Sequence, residues 1–381
     1  MIRTTAARSA VAFICLAAAA AASTPTRDTM HKIFDRMAEL LPLVLDDEHF
    51  LEDATQARFG ELLGELVQTS DALIEHAADR DADFRYHAEE LTNDFREARQ
   101  RQEHGRPEEA RFFVITATQS CVGCHSRLPK ARNFPLAHEL TSKAPIQSLD
   151  AAERALFHIA TRAFDSALTE LETFLLDPAT DSRLIEMSDS LDHYLTTAIR
   201  VERDVPRTRR FLASLSEREG LGQEFRGLLR GWSSDLESHA ETLVGPADFD
   251  AARAIVDLPE AGPTRAALAR DLVASSLLHR IIDAGSAEAA RRAEAYYWLG
   301  VVGDRHATTF WRPETAVHLE RAIRLAPDSA YAEIALDRLK SHWEFMYGGS
   351  QGSHLPRSAW ETLGELKRIV EEHRAGASPN N

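Results

Sequence analysis

The first third of the chain carries four stretches whose apolar residues recur every three or four positions, the spacing of one helix face. Gly105 and Pro107 mark the boundary between the last two stretches, because glycine often ends a helix and proline is favoured in its first turn. Short connections between helices of this length predict an antiparallel four-helix bundle. The predicted helices run from about Asp28 to Leu45, Asp53 to Ala77, Asp83 to Glu103 and Pro107 to Pro129.

The pattern becomes helical again at Leu149 and continues to about Arg374, after a proline-containing stretch at 133–148 that is typical of a linker. Two segments resemble tetratricopeptide repeats, which are helix–turn–helix units of about 34 residues. The chain is therefore predicted to be all-α, with a four-helix bundle at 23–132, a tetratricopeptide-like α-solenoid at 149–375 and a tail at 376–381. The first repeat-like segment runs from Ala163 to Pro178, and the second contains Tyr296, Leu299, Gly300, Ala322, Ile323, Leu325 and Pro327.

Residues 1–22 have the pattern of a secretory signal. Arg3 and Arg8 precede an apolar run that ends in small residues, and Ala20-Ala21-Ala22 before Ser23 offers a cleavage site. The run is too short to span a bilayer comfortably, and no later apolar stretch is long enough. The sequence therefore predicts a periplasmic or otherwise exported protein without a transmembrane segment after signal removal; the alternative is a retained N-terminal anchor.

The charge balance is strongly acidic. The formal net charge is −16, and removal of the signal takes away two arginines and no acidic residue. Such a surface repels phosphate backbones, which argues against nucleic acid as a partner. It favours a protein partner with a basic docking face.

The candidate chemistry lies in the segment Cys121-Val122-Gly123-Cys124-His125. Of the three cysteines, Cys15 leaves with the signal, so the mature chain holds one close pair. In an exported protein, C-x-x-C-H is typical of covalent attachment of a single c-type haem. The two thiols form thioethers with the porphyrin vinyl groups and the histidine binds the iron, so the three side chains must share one helix face, as positions i, i+3 and i+4 do.

Three alternatives use the same residues. A thioredoxin-like pair requires a βαβ setting, and no strand pattern lies nearby. A structural zinc site requires four ligands, and no second pair of Cys or His stands at short spacing. A short-loop disulfide leaves the adjacent His125 without a role. Haem attachment accounts for all three residues.

A haem motif near the end of the fourth helix of a bundle resembles the cytochrome c′ class, the class II c-type cytochromes. The resemblance covers about a quarter of the chain. It implies that a residue of the first helix, a few positions after an arginine, faces the iron opposite the histidine, as Leu in five-coordinate members and Met in low-spin members. Here Arg27 and Met30 correspond to the low-spin arrangement, with ordinary core packing as the alternative for Met30 and with His31 and Met37 as other candidates. His87, on the apolar stripe of the third helix, is predicted to be a partly buried core residue, with a place near a haem propionate as the alternative.

These features predict an exported electron-transfer protein with one haem c. His125 and Met30 would bind the haem iron, and Cys121 and Cys124 would form the thioethers. The partner of the protein would be a redox protein docked through the helical repeats. If Met30 does not bind the iron, the open position suits a small gas such as NO or CO. An enzyme such as a peroxidase is not expected, because no residue is marked as a distal base.

Overall fold

The computed structural model describes residues 25–45, 49–77, 82–127, 146–258, 264–284, 287–306, 314–349 and 352–377. The regular secondary structure of these residues is helical, except for one antiparallel pair of two-residue strands, β1 (Gly348–Gly349) and β2 (Gly352–Ser353). The predicted all-α class is therefore confirmed. The predicted signal and most of the predicted linker lie outside the described residues.

The four helices predicted in the first third are present, and their ends lie within three residues of the predicted ones. They are α1 (Pro25–Leu45), α2 (Asp53–Ala77), α3 (Ala82–Glu103) and α4 (Pro107–Arg127). Each packs on the next along the chain. All four contribute to one apolar core, whose members include Ile33, Leu40, Phe59, Leu66, Leu91, Phe95, Val114 and Ala117.

The described residues from 146 onward form a second helical region. Most of its apolar side chains join one continuous core, and helices that follow one another pack in pairs, α5 on α6, α9 on α10, α12 on α13 and α14 on α15. The helices are α5 (Ala151–Ala160), α6 (Phe164–Leu176), α7 (Ser182–Met187), α8 (Ser190–Leu195), α9 (Val205–Ser216), α10 (Gln223–Ser238), α11 (Ala240–Val244), α12 (Phe249–Val256), α13 (Leu268–Ala284), α14 (Ala289–Arg305), α15 (Thr315–Leu325), α16 (Ala330–Met346) and α17 (Arg357–Ala377). Two 3₁₀ turns, Ile146–Ser148 and Thr264–Ala267, precede α5 and α13.

The two repeat-like segments fall on the helices differently. The first covers α6 alone, whereas the second runs from the middle of α14 to just past the end of α15. The two helices of the second segment pack closely, because a Cβ at Gly300 would lie 2.5 Å from Leu319 Cδ2 and one at Gly303 would lie 2.7 Å from Thr315 Oγ1. Two glycines therefore set the distance between α14 and α15.

A π-helical segment, Thr196–Glu202, continues α8 without a break. It ends at Arg203, which takes the left-handed conformation with φ of 56°. The segment packs on both α13 and α4. It therefore forms part of the junction between the two regions.

The junction also uses apolar contacts and a buried polar pair. Phe157 of α5 packs edge-to-face on Phe34 of α1, with ring centroids 6.4 Å apart. The helix α3 packs on α15, where His87 meets Glu314. Among the helices that the structure describes, none has a stretch apolar and long enough to cross a membrane.

Candidate functional site

The C-x-x-C-H motif lies in the last two turns of α4. This helix begins at Pro107, and Glu108 and Glu109 in its first turn complement the positive end of the helix dipole. Cys121, Cys124 and His125 thus occupy positions i, i+3 and i+4 of one regular helix, as the motif predicted. Cys121 is partly buried and packs against the apolar core that α1–α4 share.

His125 is oriented by the neighbouring helix. Its Nδ1 lies 2.5 Å from the backbone carbonyl oxygen of Ala160, the last residue of α5. Because a carbonyl can only accept, Nδ1 carries the hydrogen and donates it. The other nitrogen, Nε2, then keeps its lone pair, and this is the tautomer that a metal-binding histidine requires.

The electrostatic setting keeps this imidazole neutral. Burial lowers the pKa of His125 to about 3, and the nearby Arg162 and His87 act in the same direction against the hydrogen bond to Ala160. Arg162 follows α5 in the left-handed conformation, with φ of 62°, and lies within electrostatic reach of Cys124. Burial lowers the pKa of its guanidinium.

His87 of α3 lies directly against the motif. Its Cε1 is 2.7 Å from the point where residue 123 would carry a Cβ, so the ring occupies the space that glycine leaves. The predicted burial of His87 is confirmed and is more complete than expected, since its exposed fraction is 3%. Its Nε2 also lies 2.5 Å from Glu314 Oε1, an interaction with the C-terminal region that the sequence did not indicate.

Met30, the predicted distal ligand, lies on α1. Its side chain is partly buried and packs against the same apolar core as Cys121. Met37, seven residues later on the same helix, is inside that core with an exposed fraction of 5%. Met30 therefore lies at the edge of the core that also carries the motif, and its role as a ligand stays a prediction.

Ala160, Arg162 and Glu314 are the residues that sequence reasoning missed. Ala160 contributes only a backbone carbonyl, which no side-chain pattern can indicate. Arg162 and Glu314 stand outside the four predicted helices, in a region whose packing on α4 was not foreseen. Ala160 and Arg162 interact directly with residues of the motif, whereas Glu314 interacts with His87.

The structure around the motif also bears on the three alternatives to haem attachment, which are a thioredoxin-like pair, a disulfide and a structural zinc site. The described elements that pack on α4 are helical, so the βαβ setting of a thioredoxin-like pair is not found there. Cys121 and Cys124 do not form a disulfide with each other. Within the described ranges, the pair does not converge with further ligand side chains as a structural zinc site requires.

Comparison of the chain with protein-family models, with curated proteins and with solved structures gave no match. The interpretation of the site therefore depends on its own chemistry.

Proposed function

We propose that this chain is an exported mono-haem c-type cytochrome that acts in electron transfer. In this proposal residues 23–132 are a haem-binding four-helix bundle similar to the cytochrome c′ class, and residues 149–375 are a tetratricopeptide-like domain that docks a redox partner. The observation that carries the proposal is His125, held by the Ala160 carbonyl in the tautomer that leaves Nε2 for a metal, one residue after a C-x-x-C pair.

The residues present fit a covalent haem. The Cys121 and Cys124 sulfurs would form the thioethers, His125 Nε2 would bind the iron, and a bound haem supplies a one-electron Fe(II)/Fe(III) couple. The Ala160 carbonyl fixes the ring plane of His125 and makes the imidazole a stronger donor, which favours the oxidised iron. Met30 is the proposed second ligand, and a thioether in that position raises the reduction potential.

The C-terminal region supports docking by its architecture and charge. Paired helices that stack on one another form extended surfaces, which repeat proteins use to bind other proteins. The formal net charge of −16 favours a partner with a basic face. We therefore propose that the partner is a redox protein whose association weakens as salt concentration rises.

The first experiment tests covalent attachment. The full chain, produced in a periplasm competent for cytochrome maturation, is denatured in acid-acetone and examined for pigment on the polypeptide. We expect the wild type to retain one haem and Cys121→Ser/Cys124→Ser to lose it. A colourless wild-type polypeptide would falsify the proposal.

The second experiment tests Met30 with a matched control on the same helix. Replacing Met by Leu conserves volume, so Met30→Leu removes the sulfur with little change in packing. We expect the wild type to show the sharp reduced bands of a six-coordinate haem, and Met30→Leu to show a broad reduced band with rapid CO uptake. Met37→Leu should keep the wild-type spectrum. CO uptake by the wild type itself would favour gas binding over electron transfer.

A further inference from the structure

A second group of ligand side chains lies in the C-terminal region. His279 of α13, together with Glu314 and His318 at the start of α15, places one ligand atom from each residue within 4.8 Å of the other two. Glu314 is the N-cap residue of α15 and His318 follows one turn later, so their side chains share one face of that helix. Three side chains from two helices that are separate along the chain therefore converge on one point.

The group is almost fully enclosed. The exposed fractions are 7% for His279, 4% for His318 and 9% for Glu314. The imidazole rings of His279 and His318 have centroids 5.8 Å apart, and Glu314 Oε2 lies 3.5 Å from His318 Nε2. A carboxylate in such a place is costly to bury unless positive charge lies beside it.

The two oxygens of Glu314 face different partners. Oε1 lies 2.5 Å from His87 Nε2, in the N-terminal region, whereas Oε2 faces His318. A carboxylate that is fixed on one oxygen by a neighbouring group and offers the other is typical of a metal ligand, because such support orients the ligand before the ion arrives.

We propose that His279, Glu314 and His318 bind one Zn²⁺ ion, with His87 holding the Glu314 carboxylate in place. Two imidazoles and one carboxylate suit zinc, which takes nitrogen and oxygen ligands at four-coordinate sites and keeps a fourth position for water when the protein supplies three. Calcium and magnesium prefer sites made of oxygen ligands alone. The ion joins α13 to α15 and, through His87, lies next to the helix that carries Cys121–His125.

The proposal is independent of the haem, since the two ligand sets have no residue in common. Full-length protein is purified with its haem, treated with a chelator, and titrated with zinc sulfate by calorimetry. We expect one zinc per chain. The conservative variants His279→Gln, Glu314→Gln and His318→Gln should each weaken binding at least about tenfold, because each removes a ligand.

Two further variants sharpen the measurement. His342→Gln is the matched control, because His342 is equally buried, with an exposed fraction of 6%, and lies 2.9 Å from Asp304 on a different helix pair. It should bind zinc as the wild type does. His87→Gln should weaken binding about 10-fold to 100-fold, as removal of a group that orients a ligand typically does.

Zinc X-ray absorption of the wild type provides a readout that needs no variant to fold. We expect a shell of nitrogen and oxygen with the scattering of two imidazoles. Absence of stoichiometric zinc from the titrated wild type would overturn the proposal, and so would a shell that contains sulfur, because it would place the ion at the cysteine pair. Zinc binding by a colourless protein would support this proposal while refuting the proposed haem.

Discussion

The two regions of this protein have interiors of different chemistry. The core shared by α1–α4 is apolar, and the described ion pairs that join these four helices to one another lie at the surface, as between Arg96 and Asp71, whose side chains are 50% and 46% exposed. The C-terminal region buries ionic contacts between its helices. Asp271 of α13, with an exposed fraction of 0%, lies 2.8 Å from His306 Nε2, and its other oxygen lies 3.3 Å from Arg305 Nη1.

This difference determines which kind of interaction fixes the pairing of helices in each region. Apolar contacts are non-directional, so four helices around one core are positioned mainly by shape. A buried carboxylate is stable only opposite its own partners, because an unpaired charge in the interior is costly. Where many helices pack around one core, such contacts can fix which helix packs on which. We therefore expect the N-terminal region to be sensitive to packing volume and the C-terminal region to be sensitive also to single polar side chains.

The largest effect is expected at Asp271. Replacement by Ala leaves His306 and Arg305 beside an empty buried site, and breaking a buried ion pair in this way costs about 3–5 kcal/mol. The free energy of unfolding, measured in urea, should fall by that amount. Asp71→Ala is the control, because an exposed ion pair contributes only about 0–1 kcal/mol. If the free energy of unfolding falls by a similar amount in the two variants, the two regions do not differ in their dependence on buried ionic contacts.

The second prediction concerns the close approach of α14 and α15. Gly300→Ala places a methyl group against Leu319, and overpacking of this kind costs about 1–3 kcal/mol. Gly227 on α10 has no neighbouring atom within 4 Å of its Cβ position, so Gly227→Ala should instead stabilise by about 0.5–1 kcal/mol. Urea unfolding of both variants checks the opposite signs. A higher free energy of unfolding in Gly300→Ala would show that α14 and α15 can move apart without loss of stability.

The same comparison can be made in the N-terminal region at Gly123. A methyl group there meets the ring of His87 at 2.7 Å, whereas Gly60 on α2 has nothing within 4 Å. We expect Gly123→Ala to cost about 1 kcal/mol, at the lower end of the range for overpacking, and Gly60→Ala to stabilise. The cost should disappear in a His87→Ala background, since the clash is with that ring. If Gly123→Ala lowers the free energy of unfolding equally in the wild-type and His87→Ala backgrounds, the strain does not come from contact with that ring.

The sequence predicted the parts of the protein that depend on neighbours along the chain. The ends of α1–α4 follow from apolar spacing, Gly105 and Pro107, and the shared face of Cys121 and His125 follows from helical geometry. The contacts that complete the haem motif and the proposed zinc site join residues that are far apart along the chain. His125 and Ala160 are 35 positions apart, and His87 and Glu314 are 227 apart, so neither pairing leaves a local pattern.

The π-helical segment Thr196–Glu202 shows the same limit for the backbone. Four of its seven residues are β-branched, which lowers helix propensity but does not specify a π-helix, and the wider turn lies where the chain packs on α13 and α4. Likewise His279 stands 35 positions before Glu314, so the convergence of their side chains leaves no local pattern in the sequence. In this protein, features set by residues close along the chain are predictable from the sequence, whereas sites assembled from residues of different helices are not.

The smallest effect is expected at the start of α5, the helix that presents the Ala160 carbonyl to His125. Asp150 is its N-cap: the carboxylate accepts a hydrogen bond from the Glu153 backbone at 2.8 Å, and the Glu153 side chain accepts one from the Asp150 backbone at 3.1 Å. Loss of such a cap costs about 1 kcal/mol, so Asp150→Ala should lower the melting temperature of a chain of this length by about 1–2 °C. Asp150→Ser keeps an acceptor and should retain most of the stability. If Asp150→Ser is as unstable as Asp150→Ala, the cap does not hold α5, and the position of Ala160 must depend on the packing of Phe157 against Phe34 instead.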